Sequence, residues 1–152
     1  MISKRITLVL CFLLLIGQLY GQRDVKDSLE TILRTEMEPN RRVDALNELS
    51  YQYYDYDDSL AFAYARAALE LALNGNYKKG IKYAYTLVGL GYSSRSEYRL
   101  AITNYRQSDR IKIKDDNGNA TYNLVLIGNL YRDMAMYDSA MLMYRSAKTA
   151  NR

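Results

Sequence analysis

The sequence contains no histidine and no tryptophan, and only one cysteine and one proline among its 152 residues. The absence of histidine removes the residue that most often acts as general acid and base and as a zinc ligand. A single cysteine can form neither an internal disulfide nor a thiolate cluster for a metal. We therefore predict that this protein is not an enzyme, and we assign it no catalytic residue, cofactor or metal site.

Tyrosine is the residue that the sequence has in excess, with 16 tyrosines against 2 phenylalanines. The apolar fraction of 49% and the charged fraction of 25% are ordinary for a folded chain, and the length suits one domain. Tyrosine combines a large apolar ring with a hydroxyl, and it is enriched on surfaces that recognise other proteins. The tyrosines therefore suit a recognition surface, and the alternative is that many of them pack between neighbouring helices.

The segment from Met1 to Gly21 is predicted to be a secretory signal peptide. Lys4 and Arg5 precede an uninterrupted apolar run from Ile6 to Ile16, and a more polar stretch ends at Gly21. This layout predicts cleavage near Gly21/Gln22 and an exported, periplasmic protein. The alternative is a permanent anchor, but a membrane span needs about 18 apolar residues or more. We expect no stable membrane insertion of the mature chain unless a downstream segment is missing.

Cleavage also lowers the net charge of the protein. Loss of Lys4 and Arg5 leaves 19 basic residues against 17 acidic ones, a net charge of +2. Four basic residues do follow one face of a predicted helix, namely Arg99, Arg106, Arg110 and Lys114. Such a stripe could bind phosphates, but the small charge and the secretion signal favour a solvated face. We predict no nucleic-acid partner.

An internal repeat determines the predicted architecture. Residues 83–108 and 122–147 align with an offset of 39, the distance from Gly89 to Gly128. Identical aligned pairs include Gly89/Gly128, Tyr92/Tyr131, Tyr98/Tyr137, Ala101/Ala140, Tyr105/Tyr144 and Arg106/Arg145. A weaker copy lies upstream, where Ser50 precedes Gly89 by the same offset. Fixed-period similarity of this kind is typical of solenoids built from stacked units.

Each copy is predicted to form two packed helices. A small residue lies three positions before a tyrosine in the first helix, and small residues recur seven apart in the second, where close packing requires them. Polar links at 56–59 and 93–96 are predicted within pairs, and links at 74–76 and 115–119 between pairs. Residues 22–38 predict a leading amphipathic helix, and Pro39 before Asn40 marks the next helix start. Asp55, Asp57 and Asp58 could form a carboxylate cluster, but we expect one of them to cap a helix.

The unit resembles the tetratricopeptide repeat, whose signature has Leu-Gly, Tyr, Ala and an aromatic residue at fixed positions. The matching residues are Val88-Gly89, Tyr92, Ala101 and Tyr105 in the middle copy, and Ile127-Gly128, Tyr131, Ala140 and Tyr144 in the last. The resemblance implies an all-α, right-handed α-solenoid of about three helix pairs, in a domain at 39–152 with repeats at about 40–76, 77–115 and 119–152. The usual period is about 34 residues, so we expect the extra residues to lie between repeats.

In this family the first helices of the repeats line a concave groove that binds protein or peptide partners. The resemblance places ten residues of this chain on that groove: Asn47, Tyr51, Tyr54, Tyr83, Thr86, Leu90, Tyr122, Val125, Asn129 and Arg132. Some repeats of this type clamp a partner's terminal carboxylate with basic residues. Here the corresponding positions hold Asn47, Thr86 and Val125, so that mode is not expected. The predicted function is an exported scaffold for a protein or peptide partner.

A second resemblance suggests an alternative function. A leader, a leading helix and elongated repeats together resemble the exported amino-terminal region of bacterial hybrid sensor kinases and repeat-bearing regulators. This chain would then be the sensory input region of a longer two-component protein. The last pair is rich in apolar residues, including Leu130, Met141 and Leu142. We expect an exposed apolar patch there, covered by further chain or by self-association through an uncapped last repeat.

Overall fold

The computed structural model describes residues 27, 30, 31, 33–35, 38–113 and 119–150, with the backbone alone at 119 and 120. Six helices follow one another: α1 (Pro39–Tyr53), α2 (Asp58–Asn74), α3 (Lys78–Ser94), α4 (Tyr98–Arg110), α5 (Asn119–Asp133) and α6 (Tyr137–Ala150). The described residues contain no strand, so the all-α expectation is confirmed. The predicted signal peptide lies outside the described residues, whereas residues 27, 30, 31 and 33–35 of the predicted leading helix are helical.

The helices pack in sequential pairs. α1 lies against α2, α3 against α4, and α5 against α6. The pairs are joined by packing of α2 on α3 and of α4 on α5, and α1 also contacts α3. Within the described ranges, no helix has both the length and the apolar content needed to cross a bilayer.

Side-chain caps define the starts of the first two helices. The Glu38 carboxylate accepts hydrogen bonds from the backbone N–H groups of Asn40 and Arg41, at 3.1 and 2.8 Å. Helix α1 therefore starts at Pro39, next to Asn40 at the predicted start, and its cap is Glu38. Asp57 Oδ1 accepts from the Leu60 N–H at 2.9 Å and caps α2. The expectation that one residue of the Asp55–Asp58 cluster caps a helix is confirmed.

Three of the links between helices form the same kind of turn, in which one residue has a left-handed backbone conformation. Asn76, Ser96 and Ala135 have φ angles of 50°, 59° and 58°. In each link, the residue after the left-handed one donates its N–H to the carbonyl five residues back: Tyr77 to Ala72, Glu97 to Tyr92, and Met136 to Tyr131. This is the Schellman motif, which satisfies carbonyls at a helix end and normally has glycine at the left-handed position. Ser96 and Ala135 are related by the offset of 39, so these two turns recur with the sequence repeat.

Close packing within two pairs depends on a missing side chain. A Cβ atom added to Gly89 would lie 2.5 Å from Cε1 of Tyr105, and one added to Gly128 would lie 2.5 Å from Cε1 of Tyr144. These two contacts are also related by the offset of 39. Both tyrosine rings therefore pack directly on the backbone of the neighbouring helix, which only glycine permits.

The first two helix pairs differ in the length of their second helix and of the link that follows it. Helix α2 has 17 residues and α4 has 13. The link after α2 is short, at 75–77, whereas residues 111–118 separate α4 from α5. The expectation that the extra residues lie between repeats therefore fits the second pair alone. In the first pair they form an additional helical turn, and α2 packs on α3 more extensively than α4 packs on α5.

Candidate partner-binding groove

Two adjacent cavities lie where α1, α3 and α5 face each other, with volumes of about 480 and 300 Å³. Tyr51, Leu90 and Tyr122 line both cavities, one residue from each of the three helices. The larger cavity is also lined by Gln52, Tyr54, Asp55 and Tyr56, and the smaller one by Tyr83, Thr86, Leu87 and Asn123. We call the surface formed by these eleven residues the tyrosine groove.

Six of the ten sequence-predicted residues line this groove. They are Tyr51, Tyr54, Tyr83, Thr86, Leu90 and Tyr122. The structure therefore brings together residues from three separate helices that are distant in the sequence. The remaining four, Asn47, Val125, Asn129 and Arg132, line neither cavity.

Three predicted residues occupy one position in successive copies and have different environments. Asn47, Thr86 and Val125 are related by the offset of 39, and their exposed fractions are 1%, 7% and 37%. Asn47 Nδ2 donates to the Gly80 carbonyl at 3.4 Å, and Thr86 Oγ1 lies 3.2 Å from Asn123 Oδ1. The next pair therefore buries this position in the first two copies. Asn47 is a residue of the α1–α3 interface and is not presented to a partner.

The two other predicted residues outside the groove lie further along α5. Asn129 Oδ1 accepts a hydrogen bond from the Tyr144 hydroxyl at 2.8 Å, so its side chain is held within the α5–α6 pair. Arg132 is exposed and pairs with its neighbour Asp133 at 2.9 Å. Hydrogen bonding to Asp133, followed by attraction to its charge, raises the pKa of Arg132.

Five residues that line the groove are not among the predicted ones: Gln52, Asp55, Tyr56, Leu87 and Asn123. Family analogy assigned only the inward positions of first helices, whereas Asp55 and Tyr56 belong to the link after α1. Leu87 and Asn123 each directly follow a predicted groove residue. The tyrosine content of residues 51–56 was the available signal for the first of these regions.

The groove presents its tyrosine rings half exposed. The exposed fractions are 54% for Tyr51, 37% for Tyr83 and 48% for Tyr122. A partner could therefore cover ring surface that is now in water, which is the main source of binding energy at aromatic contacts. Tyrosine side chains also lose little conformational entropy when they are immobilised.

Burial and nearby groups raise the pKa values of three groove tyrosines. Burial raises the pKa of Tyr83 to about 12, with smaller contributions from the Glu48 carboxylate and from Tyr51 and Tyr122. Burial and the nearby Tyr51 raise the pKa of Tyr122. The pKa of Tyr54 is raised by burial and then by the charges of Asp55 and Asp58. These hydroxyls are protonated at neutral pH and can both donate and accept hydrogen bonds.

A further tyrosine, Tyr105 of α4, lies in the core and lines neither cavity. Its side chain is fully buried against Gly89. Burial raises its pKa strongly, followed by the effects of Tyr54 and Tyr122, whereas a hydrogen bond with Ser93 lowers it. Leu90, which lines both cavities, packs against the core cluster that contains Tyr105. Tyr105 therefore belongs to the core that supports the groove.

A buried polar network lies beneath the smaller cavity. Asn123 Nδ2 donates to Asp109 Oδ1 at 2.6 Å and to Ser108 Oγ at 3.1 Å. Thr86 Oγ1 lies 2.9 Å from Ser108 Oγ and 3.2 Å from Asn123 Oδ1. These bonds connect α3, α4 and α5 and satisfy polar groups that would otherwise destabilise the interior. They also fix the orientation of Thr86 and Asn123, which line the groove.

The charge at the groove is acidic. Asp55 lines the larger cavity. The Glu48 carboxylate contributes to the raised pKa of Tyr83 and accepts a hydrogen bond from Gln52 Nε2 at 2.9 Å. Asp58 is also close, but it forms an ion pair with Arg95 at 3.3 Å. Of the described residues that line the two cavities, none is lysine or arginine.

A third cavity of about 660 Å³ lies between α2, α3 and α4, away from the groove. It is lined mainly by apolar side chains, with Arg66 and Glu70 among them. Three residues of the basic stripe, Arg99, Arg106 and Arg110, are exposed on α4, and Lys114 lies outside the described residues. In the part of the chain that the structure describes, no group of three or more acidic or cysteine side chains converges as a metal site would require.

No protein-family model matches the sequence, and a search of curated proteins finds no match.

Proposed function

We propose that this protein is an exported, non-catalytic scaffold of the tetratricopeptide-repeat type that binds a protein or peptide segment in the tyrosine groove. The observation that supports this most is the continuity of the groove. Three helices from three successive pairs each contribute one residue that lines both cavities. A partner in this groove would contact all three pairs at once, as an extended segment can.

The repeat assignment is part of this proposal. The glycine–tyrosine contacts of Gly89 and Gly128 and the turns at Ser96 and Ala135 recur with the offset of 39. Structural features that recur with a sequence offset support stacked copies of one unit. We propose that the pairs form a right-handed α-solenoid whose first helices line the groove.

Panning a random dodecapeptide library tests this function. The target is the purified protein expressed with its own leader, compared with the double variant Tyr51→Ala/Tyr122→Ala. We expect peptides to be enriched on the native protein and to lose binding to the variant, since both tyrosines line both cavities. Tyr137→Ala is the matched control, because Tyr137 is an exposed tyrosine of α6 outside the groove. Equal enrichment on the groove variant would reject the function.

The exposed apolar surface of α6 supports a second proposal, in which further chain or a second copy covers this helix. Met141 and Leu142 are exposed there, as are Tyr137 at the first position of the helix and Met136 just before it. Further chain would agree with a sensory input region of a longer two-component protein, which the downstream coding sequence tests directly. A second copy predicts a dimer in sedimentation velocity that Met141→Glu/Leu142→Glu dissociates.

A further inference from the structure

We infer that the segment bound in the tyrosine groove is basic, and that a lysine or arginine side chain of the partner lies between the rings of Tyr51, Tyr83 and Tyr122. This inference rests on the proposed function and specifies the chemical class of the partner. It depends on the sign of the charge at the groove and on the kind of residue that lines it.

Asp55, which lines the groove, and Glu48, which lies beside it, have no cationic partner among the described residues. Glu48 lies one helical turn before Tyr51 on α1 and accepts a hydrogen bond from the neutral Gln52 side chain. Asp55 lines the larger cavity and forms no ion pair with a described residue. Asp58, by contrast, is already paired with Arg95. An incoming cation would therefore meet two uncompensated negative charges.

Tyrosine rings favour the same kind of partner. The face of an aromatic ring is negative, and it attracts the ammonium group of lysine and the guanidinium group of arginine. Tyr51, Tyr83 and Tyr122 come from three different helices and are half exposed around the smaller cavity. The alkyl part of a lysine or arginine side chain can also cover apolar ring surface while its charge remains near the carboxylates.

An acidic partner is disfavoured by the same arrangement. No lysine or arginine lines either cavity among the described residues, so a carboxylate or phosphate entering the groove would gain no opposite charge. It would also be repelled by Glu48 and Asp55, because like charges at an interface are unfavourable. The groove therefore selects against the acidic terminus that a basic clamp would bind.

Fluorescence anisotropy with three labelled probes tests this inference. The probes are a decapeptide of alternating lysine and alanine, the same peptide with every lysine acetylated, and the same peptide with glutamate in place of lysine. The proteins are the native chain, Glu48→Gln/Asp55→Asn, Tyr51→Ala/Tyr122→Ala, and the control Glu70→Gln. Glu70 lines the third cavity, so its substitution removes one negative charge away from the groove.

We expect the lysine probe to bind most tightly and to weaken at high salt, since the interaction is screened. Removing the two charges, or the two rings, should weaken its binding by about tenfold, whereas Glu70→Gln should leave it unchanged. Failure of the lysine probe to bind overturns the inference, as does tighter binding of the glutamate probe or an equal loss in Glu70→Gln. Equal binding of all three probes, lost only in Tyr51→Ala/Tyr122→Ala, also overturns it but leaves peptide binding by the groove intact.

Discussion

Replacing Gly89 with alanine would place a methyl group against the ring of Tyr105. The added Cβ would lie 2.5 Å from Cε1 and 2.6 Å from Cδ1 of that ring, about 1 Å or more inside the usual carbon–carbon separation. Both atoms belong to the body of the ring, which is fully buried and cannot swing away. Either the ring or helix α3 must therefore move.

The expected loss of stability follows from two opposing effects. Overpacking in a well-packed core costs about 1–3 kcal/mol, and alanine recovers up to about 1 kcal/mol because it is the better helix former. We expect a net loss of about 1–2 kcal/mol in the free energy of unfolding. Gly128→Ala should cost less, because its neighbour Tyr144 is only half buried.

Urea unfolding followed by far-ultraviolet circular dichroism measures this loss as a lower midpoint at an unchanged slope. Gly75→Ala is the matched control, since its added Cβ would lie 3.5 Å from the nearest atom and its φ of −87° suits any residue. We expect Gly75→Ala to be neutral or to stabilise by up to about 1 kcal/mol. If Gly89→Ala were as harmless as Gly75→Ala, the direct contact between Tyr105 and α3 would be refuted.

Three further predictions concern other parts of the molecule. Ala135→Gly should stabilise the protein by about 0.5–1 kcal/mol in the same urea assay, because alanine at a φ of 58° is strained. Ala67→Gly, inside α2, is the control and should destabilise the protein; a similar loss of stability in Ala135→Gly would contradict the prediction. Asn123→Ala should cost about 2–3 kcal/mol by leaving buried partners unsatisfied, whereas Asn104→Ala, whose side chain bonds within α4, should be near neutral. The pKa of Tyr83 is raised from 10.0 to about 12, so the unfolded chain ionises at this residue before the folded protein does. The contribution of Tyr83 to stability is therefore complete below pH 10 and is lost between pH 10 and 12. Tyr83→Phe should lose less stability across this range than the native protein, and equal losses would contradict the raised pKa.

The helices were predictable because their signals are local. Apolar spacing, small residues seven apart and polar links identified each pair, and the structure has a helix in every predicted place within the described residues. The cap of α1 was not predictable, because glutamate is an uncommon cap, and only the structure shows Glu38 bonded to the Asn40 and Arg41 N–H groups. The glycine–tyrosine pairing also required three dimensions, since the sequence shows the two residues but not their contact.

The groove was predictable only in part, because its walls depend on how successive pairs stack. Tyr51, Tyr83 and Tyr122 were found by assigning inward faces to first helices, and they do line the cavities. Asn47 has the same position within its helix as Val125, yet α3 covers Asn47 and buries it. Asp55 lies in a link, where helical periodicity gives no information about direction. The acidic character of the groove therefore emerged only from the structure.

A two-dimensional carbon–proton spectrum of protein with labelled tyrosine rings, recorded as the lysine–alanine decapeptide is added, tests whether a partner binds across the first helices of three successive pairs. Such binding predicts shifts in the ring signals of Tyr51, Tyr83 and Tyr122 together, with no change at Tyr137 on α6. Shifts confined to Tyr92, which lines the third cavity, or unchanged signals from all three groove tyrosines, would contradict it.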